Sequence, residues 1–167
     1  MGTDHQTDAT GSVSLTVEAL ELSLLAPRGW TAELIEEGVR LYGPADEQAG
    51  GARPTWSITR ARPDGFGEAW FAEFTAGAVR TLSASFDECV IDGQDRFTLS
   101  SRTPVHVVRY HWRAPDGTVT HQLQATISRS PVSAYVVHAA TRGPRAAADV
   151  ERFDAVVRSL RFLPPRL

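Results

Sequence analysis

The stretch that decides the fold is residues 105–128, which read VHVVRYHWRAPDGTVTHQLQATIS. Apolar and polar residues alternate on both sides of its centre, and a period of two is typical of β-strands. The centre, Pro115-Asp116-Gly117, has the residue types that form tight turns between antiparallel strands. The stretch therefore predicts a hairpin of two long strands, at 105–114 and 118–128.

Further strands are predicted outward from this hairpin in both directions. Residues 132–141 follow it as one more strand. Before it, Asp92-Gly93 is a second hairpin signal, flanked by strands at 85–91 and 96–101. Earlier in the chain, turn residues separate four more strands, which we place at 18–26, 30–35, 39–43 and 55–62. In the last of these, Trp56 and Ile58 share one side.

Two segments change to a helical period. In the first, at about residues 67–83, apolar residues recur every four positions, with Phe71 and Val79 beside them, and we expect this stripe to form a core seam: Phe66, Trp70, Phe74, Ala78 and Leu82. The second begins after Gly143-Pro144, with proline suited to the first turn. Its apolar residues follow spacings of four and three: Ala146, Val150, Phe153, Val157 and Leu160.

The predicted order is four strands, a helix, about five strands and a helix. Consecutive hairpins require antiparallel pairing, and no repeated βαβ unit is present. The sequence therefore predicts an α+β fold, with a central twisted antiparallel sheet and both helices packed on it. We expect residues 1–16 to be a disordered polar tail, residues 17–163 to form a single domain, and residues 164–167 to be a short tail.

The composition excludes several classes of protein. The formal net charge is −3 and all 17 basic residues are arginine, so no net positive field attracts nucleic acid and lysine-dependent covalent chemistry is excluded. Cys89 is the single cysteine, which excludes an internal disulfide and a multi-cysteine metal site. Arginine, alanine and glycine without lysine are typical of a GC-rich genome, such as an actinobacterial one.

The sequence also bears on membrane insertion and location. No apolar run approaches the roughly 20 residues that span a bilayer. The first residues are polar and acidic, without the basic and apolar regions of a secretory signal. We therefore expect a cytoplasmic protein that is not inserted into a membrane.

Histidine and aromatic residues suggest one candidate binding face. If Asp116-Gly117 is a two-residue turn, Trp112 lies opposite His121, and pairing with the next strand brings His138 beside it. The predicted face then comprises His106, Tyr110, Trp112, His121 and His138. Such a face is compatible with a metal or a catalytic base, with an aromatic binding surface, or with buried histidines that have hydrogen-bond partners.

Motifs for catalysis and cofactor binding are missing from the sequence. It has no G-x-S-x-G nucleophile elbow, no G-x-G-x-x-G dinucleotide motif and no phosphate-binding loop. Neighbouring carboxylates such as Asp87 and Glu88 would point to opposite faces of a strand, so they do not form an acid–base pair. We predict no catalytic residue, no cofactor and no metal.

The chain resembles the PsbP-like/Mog superfamily, in particular its bacterial DcrB-like branch. Three features carry the resemblance: an early strand running into LLAPRGW (24–30), a single helix between two sets of strands, and the closing FDAVVRSLRF (153–162). It covers about residues 17–163. It implies an α/β/α sandwich, and relatives that are mostly non-catalytic: subunits of a photosynthetic complex, a small-GTPase-binding factor, envelope lipoproteins and chaperones for secreted effectors. The lipoprotein branch has a signal and a lipid-attachment cysteine, which this sequence lacks.

The first functional hypothesis is a non-catalytic binding or adaptor protein with a protein partner, in its most specific form a chaperone for a partner's apolar segment. The alternative is a small-molecule-binding protein or enzyme that uses the histidine and aromatic face, which requires a pocket there. A third hypothesis is a homo-oligomer built through an exposed sheet edge.

Overall fold

A computed structural model describes residues 11–164 of the chain. Within these residues it contains ten strands and two helices, together with two short 3-10 turns. The elements are β1 (Ser12–Val17), β2 (Leu22–Pro27), β3 (Thr31–Ile35), β4 (Gly38–Tyr42), β5 (Thr55–Ala61), α1 (Glu68–Ser85), β6 (Val90–Thr98), β7 (Pro104–Arg113), β8 (Val119–Ser130), β9 (Ser133–Arg142), α2 (Ala146–Ser159) and β10 (Arg161–Phe162).

The strands form two antiparallel sheets. The large sheet has seven strands in the order β3-β4-β5-β9-β8-β7-β6, and the small sheet has three in the order β1-β2-β10. Every pairing is antiparallel, including the central pair of β5 with β9. The α+β fold with an antiparallel sheet is therefore confirmed. None of the helices in residues 11–164 is long and apolar enough to cross a bilayer.

The main core lies between one face of the large sheet, helix α2 and the small sheet. Alternate residues of the central strands enter it, such as Trp56, Leu123 and Val137, which are all at most 1% exposed. From α2, Phe153 and Val157 are fully buried, as the predicted stripe requires. Burying a side chain of this size contributes on the order of 1.5–3 kcal/mol, so this seam holds α2 firmly on the sheet.

The two faces of the large sheet carry different helices. We call the face with Leu123 and Val137 the α2 face. The opposite face carries Val108, which clusters with Leu82 of α1, and we call it the α1 face. One helix therefore packs on each face, and both expected helix contacts with the sheet are present.

Two details differ from the sequence-based prediction. Residues 12–16 were assigned to a disordered tail, but they form most of β1, because Leu15 and Val17 alternate into the core at 6% and 3% exposure. Asp92-Gly93 is not a hairpin turn; it lies inside the continuous strand β6, where the register with β7 shifts at a β-bulge. Five strands thus precede α1, four lie between α1 and α2, and the short β10 follows α2. Residues 1–10 and 165–167 lie outside the described residues.

Candidate protein-binding face

The structure brings together four of the five residues of the predicted binding face. On the α1 face lie His106, Tyr110 and Trp112 of β7 and His138 of β9, because β7 and β9 pair in register with opposite sides of β8. His121 lies on the α2 face instead, directly opposite His111. The predicted grouping was therefore wrong at His121.

The turn between β7 and β8 explains the difference. The amide of Gly117 donates to the carbonyl of Ala114 (2.9 Å), and Gly117 has a positive φ of 85°. Pro115 favours the first central position of a type I turn, and glycine favours the left-handed position that follows. Three residues form the turn rather than two. Since a shift of one residue exchanges the faces of a strand, His121 changes sides.

His106 is part of the packed interior rather than of a pocket. Its side chain is buried, and its Nε2 lies 3.0 Å from Oε1 of Gln94 on β6. Burial, assisted by the positive charge of Arg96, lowers the pKa of His106 below its ordinary value. This histidine is therefore a neutral hydrogen-bonding group near neutral pH. It matches the interpretation of the face as buried histidines that have hydrogen-bond partners.

Tyr110 and Trp112 are also covered. Tyr110 is 3% exposed, its hydroxyl donates to Gln122, and burial raises its pKa to about 12. Trp112 stacks on Phe86, just after α1, with ring centroids 5.0 Å apart. Leu82 of α1 completes this cluster. At β7 the histidine and aromatic face is thus filled by side chains, which removes the cavity that a small-molecule site there would need. His138, by contrast, is exposed.

Helix α1 is rotated relative to the stripe that the sequence predicts as a seam. Its buried residues are Phe71, Thr75 and Leu82, whereas Phe74 is 43% exposed. Arg96 of β6 accounts for the rotation: its guanidinium donates to Thr75 Oγ1 (2.7 Å) and lies over the Phe71 ring at 5.8 Å. The row containing Phe71 therefore faces the sheet, and the neighbouring aromatic row is turned outward.

The outward row forms a stacked aromatic pair at the surface, in which Phe74 is exposed and Trp70 is half-buried. Trp70 and Phe74 stack with centroids 5.0 Å apart and planes inclined by 23°. The indole Nε1 of Trp70 donates to Asp64 (3.0 Å), which fixes the orientation of the ring. Phe66, before the helix, is 52% exposed. Large apolar side chains that are grouped and exposed usually mark an interaction site.

A groove lies beside this pair, between α1 and the sheet. We define the α1 groove by Phe74, Gly77, Ala78, Leu82 and Gln124, which line a depression of about 510 Å³. Gly77 and Ala78 are small, so α1 leaves room along this flank. The sheet contributes Gln124 of β8, and His138 is its neighbour on β9. The groove thus has an uncharged polar floor and a helix wall that is mainly apolar but also includes two charged residues.

A second depression, of about 610 Å³, lies on the other side of the molecule beside α2 and Trp30. Three of the charged groups that line it already have partners. Arg145 pairs with Asp46 (3.2 Å) and Arg152 with Asp149 (3.0 Å). Asp149 is 4% exposed and accepts a further hydrogen bond from Thr141. These pairs stabilise the start of α2, and they leave few polar groups free for a ligand.

The chain matches no family model, and no curated protein matches it. Solved structures do match. CyanoP, the cyanobacterial PsbP of Synechocystis sp. PCC 6803, has a TM-score of 0.62 and 12% identity, and the match covers 97% of this chain and 98% of CyanoP. The Ran-binding protein Mog1p of Saccharomyces cerevisiae has a TM-score of 0.60 and 9% identity, with 97% of each chain covered.

LpqN of Mycobacterium tuberculosis, a protein involved in cell envelope biogenesis, has a TM-score of 0.64 and 14% identity, with 86% of this chain and 83% of LpqN covered. The resemblance to the PsbP-like/Mog fold is therefore confirmed at the level of fold. At these identities the similarity bears on the arrangement of strands and helices, and the function has to be argued from this chain's own surface.

Proposed function

We propose that this chain is a non-catalytic binding protein whose α1 groove takes up an apolar helical segment of a protein partner. The observation that carries the proposal is Phe74, which is exposed, stacks on Trp70 and lines a groove that the chain itself leaves open. Mog1p, which shares the fold, is a Ran-binding protein, and this supports a protein-binding role for the same architecture here.

The backbone around the groove favours a helix over an extended segment. The strand at its floor, β8, is paired on both sides, with β7 and β9. An extended peptide would find no free backbone groups there and would leave its own unsatisfied, whereas a helix satisfies its backbone internally. The partner segment is thus expected to be an amphipathic helix with its apolar side toward Phe74.

The charges at the groove indicate what the segment carries beside its apolar side. Glu73 and Arg80 of α1 both line the groove, seven residues apart and therefore about two helical turns from one another. The segment is expected to have an apolar centre with a basic residue near Glu73 and an acidic residue near Arg80. Charges of this kind set orientation and partner choice more than affinity.

The more specific parts of the hypothesis belong to the same proposal. They are a chaperone role that shields an apolar segment, a cytoplasmic location, the DcrB-like branch of the fold and the absence of catalysis. Of these, the chaperone role follows most directly from the groove, because shielding an apolar helix requires only an apolar surface of matching shape.

The test compares two substitutions of exposed apolar residues. Phe74→Asp places a charge in the groove. Val132→Asp is the control: Val132 is 67% exposed and lies in the β8–β9 turn, away from the groove. Partners captured from a lysate of the native host by the parent protein are identified by mass spectrometry, and the binding of each variant to them is then measured.

We expect Phe74→Asp to weaken binding about 30-fold, as loss of a central interface residue worth about 2 kcal/mol does. Val132→Asp should bind like the parent, and both variants should keep its melting temperature, since neither side chain is buried. Equal binding by the two variants, or a partner that carries no apolar helical segment, would contradict the proposal.

A further inference from the structure

Three potential metal ligands meet at one end of the large sheet, on the α2 face. Asp92, His111 and His121 come from the adjacent strands β6, β7 and β8, and their potential ligand atoms all lie within 4.8 Å of one another. His111 and His121 are direct partners in the β7–β8 ladder, with ring centroids 5.4 Å apart. This cluster lies on the face opposite the α1 groove and does not depend on the function proposed above.

The β-bulge in β6 brings the carboxylate to the histidines. The register shifts between Ile91 and Gly93, so that Gly93 rather than Asp92 is paired with Arg109. Asp92 is the extra residue, and both of its carboxylate oxygens reach His111 Nδ1, at 2.8 and 3.0 Å. Bulges commonly re-aim a side chain in this way beside functional sites.

The neighbouring charges leave the cluster free to attract a cation. On β7, the arginines on either side of His111 already have acidic partners: Arg109 with Asp95 and Asp154 (3.0 and 2.6 Å), and Arg113 with Glu88 (3.2 Å). The cluster is also accessible, because Asp92 and His111 side chains are 41% and 32% exposed. A cation can therefore enter without crossing a layer of positive charge on this strand.

We propose that Asp92, His111 and His121 bind a divalent transition-metal ion such as Zn²⁺. Two imidazoles and one carboxylate are ligands that zinc favours, with bonds of about 2.0–2.2 Å. The ligand atoms of a tetrahedral site with these bond lengths are roughly 3.3 Å apart, so binding requires the three side chains to close in from separations of up to 4.8 Å. Metal binding would replace the hydrogen bond between His111 Nδ1 and the Asp92 carboxylate.

A site of this kind keeps one coordination position open. Three protein ligands leave the fourth position of a tetrahedral zinc for water or another ligand. His121 also lines a depression of about 530 Å³, together with Gly50, Arg142 and Gly143, through which such a ligand can approach. The positive charge of Arg142 favours an anionic ligand there.

The test measures Zn²⁺ binding to the untagged protein by calorimetry. All proteins carry His5→Gln, so that this additional histidine does not contribute. His121→Gln and Asp92→Asn each remove one ligand and are conservative in size. His138→Gln is the matched control, because it removes an exposed histidine from the opposite face of the same sheet.

We expect the parent to bind one Zn²⁺, and the control to bind like the parent. Each ligand variant should lose at least about tenfold in affinity for Zn²⁺. Removing a residue that only hydrogen-bonds to a metal ligand already costs about 10- to 100-fold, and a ligand itself should matter at least as much. The ligand-field absorption of bound Co²⁺ should appear in the parent and the control and disappear in both ligand variants. No saturable one-to-one binding by the parent, or equal losses in the control and the ligand variants, would overturn the proposal.

Discussion

At the scale of single residues, His106 shows how a buried titratable group couples stability to pH. Its pKa is lowered from 6.5 by burial, and further by Arg96. In the unfolded chain the same histidine takes up a proton near its ordinary pKa. The unfolded state therefore binds more protons than the folded state in the window below about pH 6.5, and the free energy of unfolding falls as the pH falls through that window.

Replacing His106 by glutamine should remove this contribution. Glutamine is uncharged at every pH, and it keeps a polar side chain opposite Gln94. We expect the free energy of unfolding of the parent to fall more steeply between pH 7.5 and pH 5 than that of His106→Gln, as measured by urea denaturation. His138, whose pKa is also lowered by desolvation, is present in both proteins and cancels in the comparison. Equal slopes would show that His106 is not kept neutral by the fold.

Individual residues also show how far the sequence alone reaches. Alternation placed Trp56 and Ile58 on one side of a strand, and both are fully buried. The side on which His121 lies was not predictable in the same way, because it depends on whether the preceding turn contains two residues or three. Asp92 was not identified as a candidate metal ligand, because its position beside the histidines depends on the β-bulge in β6. A bulge is visible only once two strands are paired.

At the scale of elements, the turn between β7 and β8 sets the register of a long hairpin. Gly117 has a φ of 85°, a conformation that costs an L-residue with a side chain roughly 1–2 kcal/mol. Gly117→Ala should therefore lower the free energy of unfolding by about 1 kcal/mol or more.

Gly77→Ala, in the middle of α1, should raise the free energy of unfolding by about 0.5–1 kcal/mol, because alanine is the better helix former. Its added carbon would lie 3.7 Å from Nη2 of Arg80, an ordinary contact.

Chemical denaturation of the two glycine variants tests both predictions, a lower free energy of unfolding for Gly117→Ala and a higher one for Gly77→Ala. If Gly77→Ala lowers the free energy of unfolding, the flank of α1 is packed more tightly than the groove suggests. No loss at Gly117 would mean that the turn can close without the left-handed residue, and the explanation given above for the position of His121 would fail.

Helix α1 shows why an apolar period does not by itself identify the buried row. Residues 66–82 contain two adjacent apolar rows, one through Trp70 and Phe74 and the other through Phe71 and Leu82. Each row satisfies the helical period, and the sequence-based seam followed the first row and ended at Leu82, with Phe71 beside it. Contacts with the sheet determine which row is buried. Arg96 hydrogen-bonds to Thr75, and Val108 packs against Leu82. The row that remains exposed is the one on which the proposed function rests.

At the scale of the whole molecule, the two sheets are joined into one folding unit. They share a single apolar core, and Tyr135 of the large sheet donates its hydroxyl hydrogen to the carbonyl of Leu20, just before β2 of the small sheet (2.8 Å). Ser159, the last residue of α2, accepts a hydrogen bond from the amide of Leu25 (2.9 Å). The small sheet is thus tied both to the large sheet and to α2, so we expect residues 11–164 to unfold in one cooperative transition.

Removing the Tyr135 hydroxyl tests this connection. Tyr135 is fully buried, so Tyr135→Phe leaves the carbonyl of Leu20 without its donor and should cost about 1–3 kcal/mol. Tyr42→Phe removes a hydroxyl whose hydrogen bond to Glu33 is exposed to solvent, and it should change stability by less than about 0.5 kcal/mol. Far-ultraviolet circular dichroism and tryptophan fluorescence should give coincident unfolding curves for the parent and for both variants, with Tyr135→Phe shifted to lower denaturant. If the two probes separate in Tyr135→Phe alone, the hydroxyl couples the sheets; if they separate in the parent as well, the small sheet unfolds independently and the single-unit description is wrong.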